Sequence, residues 1–138
     1  MTLPPPRVIF FLEDNERILV LVRDVLEFAG WYVKPCNSGH YAWTMLDWEK
    51  EHYDLLVLDN EADRLDGLTL IRRVRQLPHR KETPIILTSL ADLAAEARAA
   101  GADAFLRKPY NLIELVETIR QLLDESRARQ RPKTEAAR

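Results

Sequence analysis

A chain of 138 residues, 46% hydrophobic and 30% charged with 4 Gly and 8 Pro, has the size and balance of one globular domain, which excludes disordered and fibrous classes. The formal charge is -2, but the last fourteen residues carry five basic side chains against two acidic ones, leaving Met1 to Asp124 with 20 acidic against 15 basic, a poor surface for the phosphates of nucleic acid. A single cysteine, Cys36, leaves no intrachain disulfide or thiolate zinc cluster; three scattered histidines, no leader-like start and no run of ~18 apolar residues point to a soluble, cytoplasmic chain without a membrane partner.

Strand and helix alternate along the chain. Arg7–Leu12 is an apolar run too short for a helix and reads as a buried strand. Asn15 is a helix N-cap candidate, after which Ile18, Val22, Val25 and Ala29 recur at helical spacing until Gly30. Trp31–Val33 reads as a second strand, placed at a sheet edge because Pro35 at its end has no N–H for a ladder. A second helix is predicted over Gly39–Lys50, and Asp54–Asp59 is a continuous apolar run of the kind covered on both faces. Leu68, Ile71 and Val74 then face inward from a third helix closed by Pro78. Pro84–Thr88, Asp92–Ala100 and Ala102–Leu106 follow as strand, helix and strand. The last helix carries Leu112, Leu115, Val116, Ile119 and Leu122. Residues after Asp124 read as a frayed helix end and a basic tail or linker. Five such units imply a doubly wound α/β fold with a parallel sheet and five helices, over residues 7–124 with an extension at 1–6 and a tail at 125–138.

In such sheets ligands bind beyond the carboxyl ends of the strands. Those ends deliver Glu13 and Asp14 from the first strand, Asp59 from the third, Thr88 and Ser89 from the fourth, and Lys108–Pro109 after the fifth. Three carboxylates at close range would raise one another's pKa values unless a cation offsets them. Oxygen ligands alone suit Mg²⁺ better than Zn²⁺.

The order Glu13–Asp14, Asp59, Asp66–Gly67, Thr88 and Lys108–Pro109 closely resembles the receiver domains of bacterial two-component response regulators, over roughly residues 7 to 124. Gly39 and Ala42, the Gly101–Ala102–Asp103 turn and Phe105 fit the same resemblance. It implies a flavodoxin-like sheet of strand order 2-1-3-4-5. By resemblance, Asp59 is the phosphoacceptor, and Mg²⁺ is bound by Asp14, Asp59 and the backbone carbonyl of Glu61, with Glu13 often acting through water. Lys108 would pair with the phosphoryl group, and Thr88 and Phe105 would carry the switch to the face of the fourth helix, fifth strand and fifth helix. The implied partners are a sensor histidine kinase or phosphotransfer protein as donor, and a downstream effector or fused output domain. A phosphorylation-dependent homodimer is open. Such a domain turns over no substrate besides catalysing its own phosphorylation and dephosphorylation.

The chain departs from the family in the loop after the acceptor. Asp63 stands where a proline is usual, Glu61 and Asp63 add negative charge, and Ser89 stands where Ala or Gly is frequent. The loop and Leu90 are therefore expected to alter how long a phosphoryl group survives. An aspartyl-phosphate hydrolase would need a second aspartate two residues after the nucleophile, where Glu61 stands. Two further readings are a receiver-fold interaction module that does not use phosphate and the N-terminal receiver of a longer transcription factor or enzyme. Arg72, Arg73, Arg75, Arg80 and Lys81 read as a solvated face of the third helix, Trp43 and Trp48 as packing residues, and Cys36 as a small buried hydrophobe.

Overall fold

The computed structural model describes residues 3–63 and 66–130. In chain order the elements are β1 (Val8–Leu12), α1 (Glu16–Phe28), β2 (Tyr32–Cys36), α2 (Gly39–Asp47), β3 (Leu55–Asp59) and α3 (Gly67–Val74). A 3₁₀ turn (Pro78–Arg80), β4 (Ile85–Ser89), α4 (Ala94–Ala100), β5 (Ala104–Arg107) and α5 (Leu112–Arg129) complete them. The five strands form one sheet of order β2-β1-β3-β4-β5, and every pairing is parallel. The expected flavodoxin-like order is the observed one. Among the described residues no helix is long and apolar enough to cross a membrane.

Side chains alternate between the two faces of each strand, and the core divides accordingly. Ile9, Phe11, Leu55, Val57, Ile86 and Leu106 pack with Leu19, Val22 and Leu26 of α1 and with Leu115, Ile119, Leu122 and Leu123 of α5. Phe10, Leu12, Leu56, Leu58, Ile85 and Leu87 pack on the other face with α2, α3 and α4 through Ala42, Leu46, Leu70, Ile71, Val74 and Ala97. All five residues of β3 are buried.

Three expectations need correction. The inward face of α1 is Leu19, Val22 and Leu26, and Ile18 is 38% exposed. The run Ile18-Leu-Val-Leu-Val22 is apolar on every side, so periodicity left its phase ambiguous, whereas Asn15 does cap the helix by accepting from Ile18 N. The second strand continues through Pro35, which pairs with Phe11, to Cys36. An edge strand has one side without a ladder, and there a missing donor is tolerated. The last helix does not fray at Asp124: Leu123 and Ser126 are buried, and α5 runs to Arg129. The rest of the expected tail, from residue 131 onward, lies outside the described residues.

The basic stretch is corrected as well. Arg80 is 2% exposed; its Nε donates to Leu46 O at 2.6 Å and its Nη2 to Trp48 O and Glu51 O at 3.0 and 2.8 Å, with the guanidinium 4.5 Å from the centre of the Tyr53 ring. Arg75 donates to Gly101 O, Arg80 O, Lys81 O and Thr83 O and pairs with Asp103. Carbonyls left over at helix ends need donors, and these two side chains supply them. Arg73 lies over the half-buried Trp43 ring, while Trp48 is exposed.

Candidate functional site

Parallel strands that stop in register bring their following residues to one edge. Thr88 pairs with Asp59 across β3 and β4, Arg107 with Ser89 across β4 and β5, and Lys108 N donates to Ser89 O at 2.8 Å. Glu13 N donates to Cys36 O at 2.9 Å, which carries the β1–β2 pairing one residue past the strand. The edge thus holds Glu13, Asp14, Asp59, Thr88 and Lys108 together.

Asp59 is fully buried. Its Oδ1 accepts from Lys108 Nζ at 2.6 Å and from Glu61 N at 3.0 Å, whereas its Oδ2 is buried with no hydrogen-bond partner among the described residues. A buried carboxylate oxygen left without a donor costs free energy unless something else meets it. Glu13, Asp14 and Asp59 supply that context: one carboxylate oxygen from each lies within 4.8 Å of the other two. This is an acidic cluster of the kind that holds a metal ion, and it resembles the Mg²⁺ site of receiver domains.

Charge at the edge is unevenly balanced. Burial, with further contributions from the Asp59 and Asp14 charges, pushes Glu13 from an ordinary 4.5 up to about 7 against the opposing Asn15 N–H and Lys108. Burial works against the Lys108 ammonium, yet the hydrogen bond and charge of Asp59, with Glu13 and Glu61 behind them, raise its pKa. Lys108 Nζ stands 3.9 Å from Glu13 Oε1 and 3.6 Å from Glu61 Oε1. Among the described residues one cation therefore serves three carboxylates.

The sequence-predicted switch residues are placed differently. Thr88 is buried beside Asp59 on the neighbouring strand. Phe105 is half-buried against the core of the α2–α4 face, at a cleft between α4 and β5 also lined by Ala94, Ala97 and Arg98.

Sequence reasoning missed what the Glu61 side chain does. It crosses from the β3–α3 loop to the β4–α4 loop, where Oε2 accepts from Ser89 Oγ at 2.5 Å and Oε1 from Leu90 N at 2.9 Å. Burial opposes the charge, but these bonds, Asn60 and Lys108 hold its carboxyl below the usual range. Part of the signal was present, since Ser89 departs from the family pattern and Glu61 adds charge to the loop, but nothing in the sequence joined them. Asn60 was also missed: its Oδ1 accepts from Gly67 N at 3.1 Å and fixes the start of α3. A Cβ on Gly67 would lie 2.9 Å from Asn60 Cα and 2.8 Å from Leu87 Cδ1, which explains a glycine there. Asp63 O accepts from Gly39 N at 2.9 Å, tying the same loop to α2. Beside the acids, Ile18, Leu21, Val22, Leu90, Pro109, Tyr110 and Leu112 line a largely apolar groove of about 450 Å³.

The family model of the response regulator receiver domain matches residues 9–120. The transcriptional regulatory protein TrcR of Mycobacterium tuberculosis is 33% identical over an alignment of 136 residues that covers 96% of this chain and 51% of that protein. The chain spans about half the length of the curated relatives it matches. Among solved structures, a CheY-like receiver domain protein from Methanospirillum hungatei superposes with a TM-score of 0.83 at 26% identity, covering 91% of this chain and 99% of that one. The receiver domain of the sensor histidine kinase PA1611 from Pseudomonas aeruginosa, which has a magnesium ion coordinated in its active-site cleft, gives 0.77 at 24%, covering 87% and 99%. With its fold, its acid-lined strand edge and this match over most of its length, the chain belongs to the receiver domains of two-component response regulators, signalling modules rather than enzymes with a separate substrate.

Proposed function

We propose that this chain accepts a phosphoryl group on Asp59 and relays the event as a change of its α4–β5–α5 face. The observation that carries this is the Asp59 carboxylate: fully buried, anchored through Oδ1 by Lys108 and Glu61 N, and left with an unpartnered Oδ2 beside two further acids. A carboxylate oxygen of Asp59 is the nucleophile. Its attack on phosphorus forms the Asp59 O–P bond as the bond to the donor breaks in line, and the donor leaves with the electron pair: imidazole from a phosphohistidine, or acetate from acetyl phosphate.

Glu13, Asp14, Asp59 and the Glu61 backbone carbonyl would hold Mg²⁺. Their oxygens fit it, since the acids cluster within 4.8 Å and octahedral Mg²⁺ takes oxygens at about 2.0–2.1 Å with water filling the remainder. When bound, the ion offsets the negative charge of the transferring oxygens and of the acids that surround them. Lys108 holds Asp59 in place before transfer and then pairs with the phosphoryl oxygens. Thr88, on the adjoining strand, supplies a hydroxyl to the same oxygens, and Phe105 turns toward the space Thr88 vacates, which biases α4 and α5.

A cytoplasmic histidine kinase or phosphotransfer protein is the proposed donor. The groove beside the acids suits the apolar side of a partner helix, because Ile18 and Leu21 are exposed on its α1 wall and Leu90 on its far side. The name and length of TrcR favour a second reading of the output, in which the receiver is fused to a DNA-binding part. Incubation with acetyl phosphate and Mg²⁺ tests the acceptor. Wild type is expected to gain the mass of one phosphoryl group and Asp59→Asn none; an unmodified wild type, or an equal gain in the variant, refutes it.

A further inference from the structure

Glu61 spends its carboxylate in an unusual way for a loop residue beside an anion site. Its Oε2 accepts from Ser89 Oγ and from Asn60 Nδ2, its Oε1 accepts from Leu90 N and lies 3.6 Å from Lys108 Nζ. Ser89 Oγ in turn accepts from Ala91 N at 3.1 Å. An ammonium, a backbone N–H and a hydroxyl form the donor set that a phosphoryl group seeks. The carboxylate holds the β4–α4 loop closed, and it draws on the Lys108 that also grips Asp59.

A phosphoryl group on Asp59 carries about -1.5 to -2 charges and three strong acceptor oxygens. It would enter beside the Glu61 carboxylate and take over Lys108, the cation the two acids share. Like charges in a partly buried site repel strongly. The Glu61 side chain is 32% exposed and so has solvent to move into, whereas Asp59 is fully buried.

We propose that Glu61 is a displaceable internal anion: it latches the β4–α4 loop through Ser89 and Leu90 in the unmodified protein and is expelled when Asp59 is phosphorylated, so that release of this loop is a second output beside Thr88. The inference rests on Asp59 as acceptor. It also joins Ser89, a departure from the family, and the added charge of Glu61 in one device.

Amide hydrogen exchange at Leu90 in the full chain reads the latch, before and after acetyl phosphate and Mg²⁺, with intact mass followed in parallel. Wild type should protect Leu90 N–H when unmodified and lose that protection at least ~10-fold on phosphorylation. Glu61→Ala should lack it in both states. Glu61→Gln, which keeps an acceptor oxygen but no charge to repel, should keep it in both. Unchanged Leu90 exchange in unmodified Glu61→Ala overturns the latch. Phosphorylated wild type that retains Leu90 protection, or Glu61→Gln that loses it as wild type does, overturns the displacement. A wild type that gains no phosphoryl mass instead overturns the acceptor reading and takes the displacement with it.

Discussion

The two edges of the sheet both bury charge, and they treat it in opposite ways. At the amino-terminal edge Arg80 and Arg75 lie among backbone carbonyls that accept from their guanidinium groups. At the carboxyl edge Glu13, Asp59 and Glu61 crowd one ammonium with Asp14 beside them, and among the described residues Asp59 Oδ2 has no donor. Buried charge that is fully paired holds a structure together, while buried charge left short of partners is poised to bind something.

The sharpest way to separate the edges is to remove Arg80. Arg80→Ala takes the Arg80 donor from Trp48 O and Glu51 O, leaves Leu46 O only the His79 ring nitrogen, and strips the face of Tyr53, and should cost about 3–5 kcal/mol in urea unfolding. A loss under about 1 kcal/mol would place Arg80 among surface charges.

Glu13→Gln should act in the other direction. Glu13 holds its proton more tightly folded (about 7) than at the ordinary 4.5 of an unfolded carboxyl, so between these values the folded chain binds more protons. In the presence of a chelator, wild type should therefore lose stability as pH rises from about 4.5 to about 7, by on the order of 3 kcal/mol, and stay level above that. Glu13→Gln should abolish this slope and unfold at higher temperature at pH 8, while binding Mg²⁺ at least ~10-fold more weakly. A variant with the wild-type slope would move the buried proton to another group.

Between the edges, Gly67 packs α3 against the root of the β3–α3 loop. Gly67→Ala puts a Cβ 2.9 Å from Asn60 Cα, backbone that cannot yield cheaply, and should cost about 1–3 kcal/mol and slow phosphorylation by displacing the residue next to Asp59. Loss of stability with an unchanged rate would show that the loop does not transmit the strain. The smallest effect belongs to the loop's departure from its family: Asp63→Pro should alter the phosphoryl lifetime by a few-fold, and an equal lifetime would remove residue 63 from the account.

The fold was legible because each apolar run is short and ends in a turn or cap signal, and Asn15 and Asp66 cap their helices with the side chains the sequence offers. The acids and Lys108 were legible because strand ends in a parallel sheet share one edge. What stayed hidden is what long polar side chains reach. Arg80 ends a proline-containing turn in a basic run, and only the folded path brings it under the end of α2. Glu61 and Ser89 are 28 residues apart, and their hydrogen bond exists because β3 and β4 stop in register. The phase of α1 stayed hidden for a different reason, since Ile18 to Val22 is apolar throughout.

Locating the phosphoryl group tests the central claim most directly. Borohydride reduces an acyl phosphate to an alcohol at the carbon that carried it. After treatment with acetyl phosphate and Mg²⁺, peptide mapping by mass should find that alcohol at residue 59, with Glu13, Asp14 and Glu61 unchanged. Reduction at any of those three acids, or at none in a chain that has gained phosphate, would contradict the assignment of Asp59.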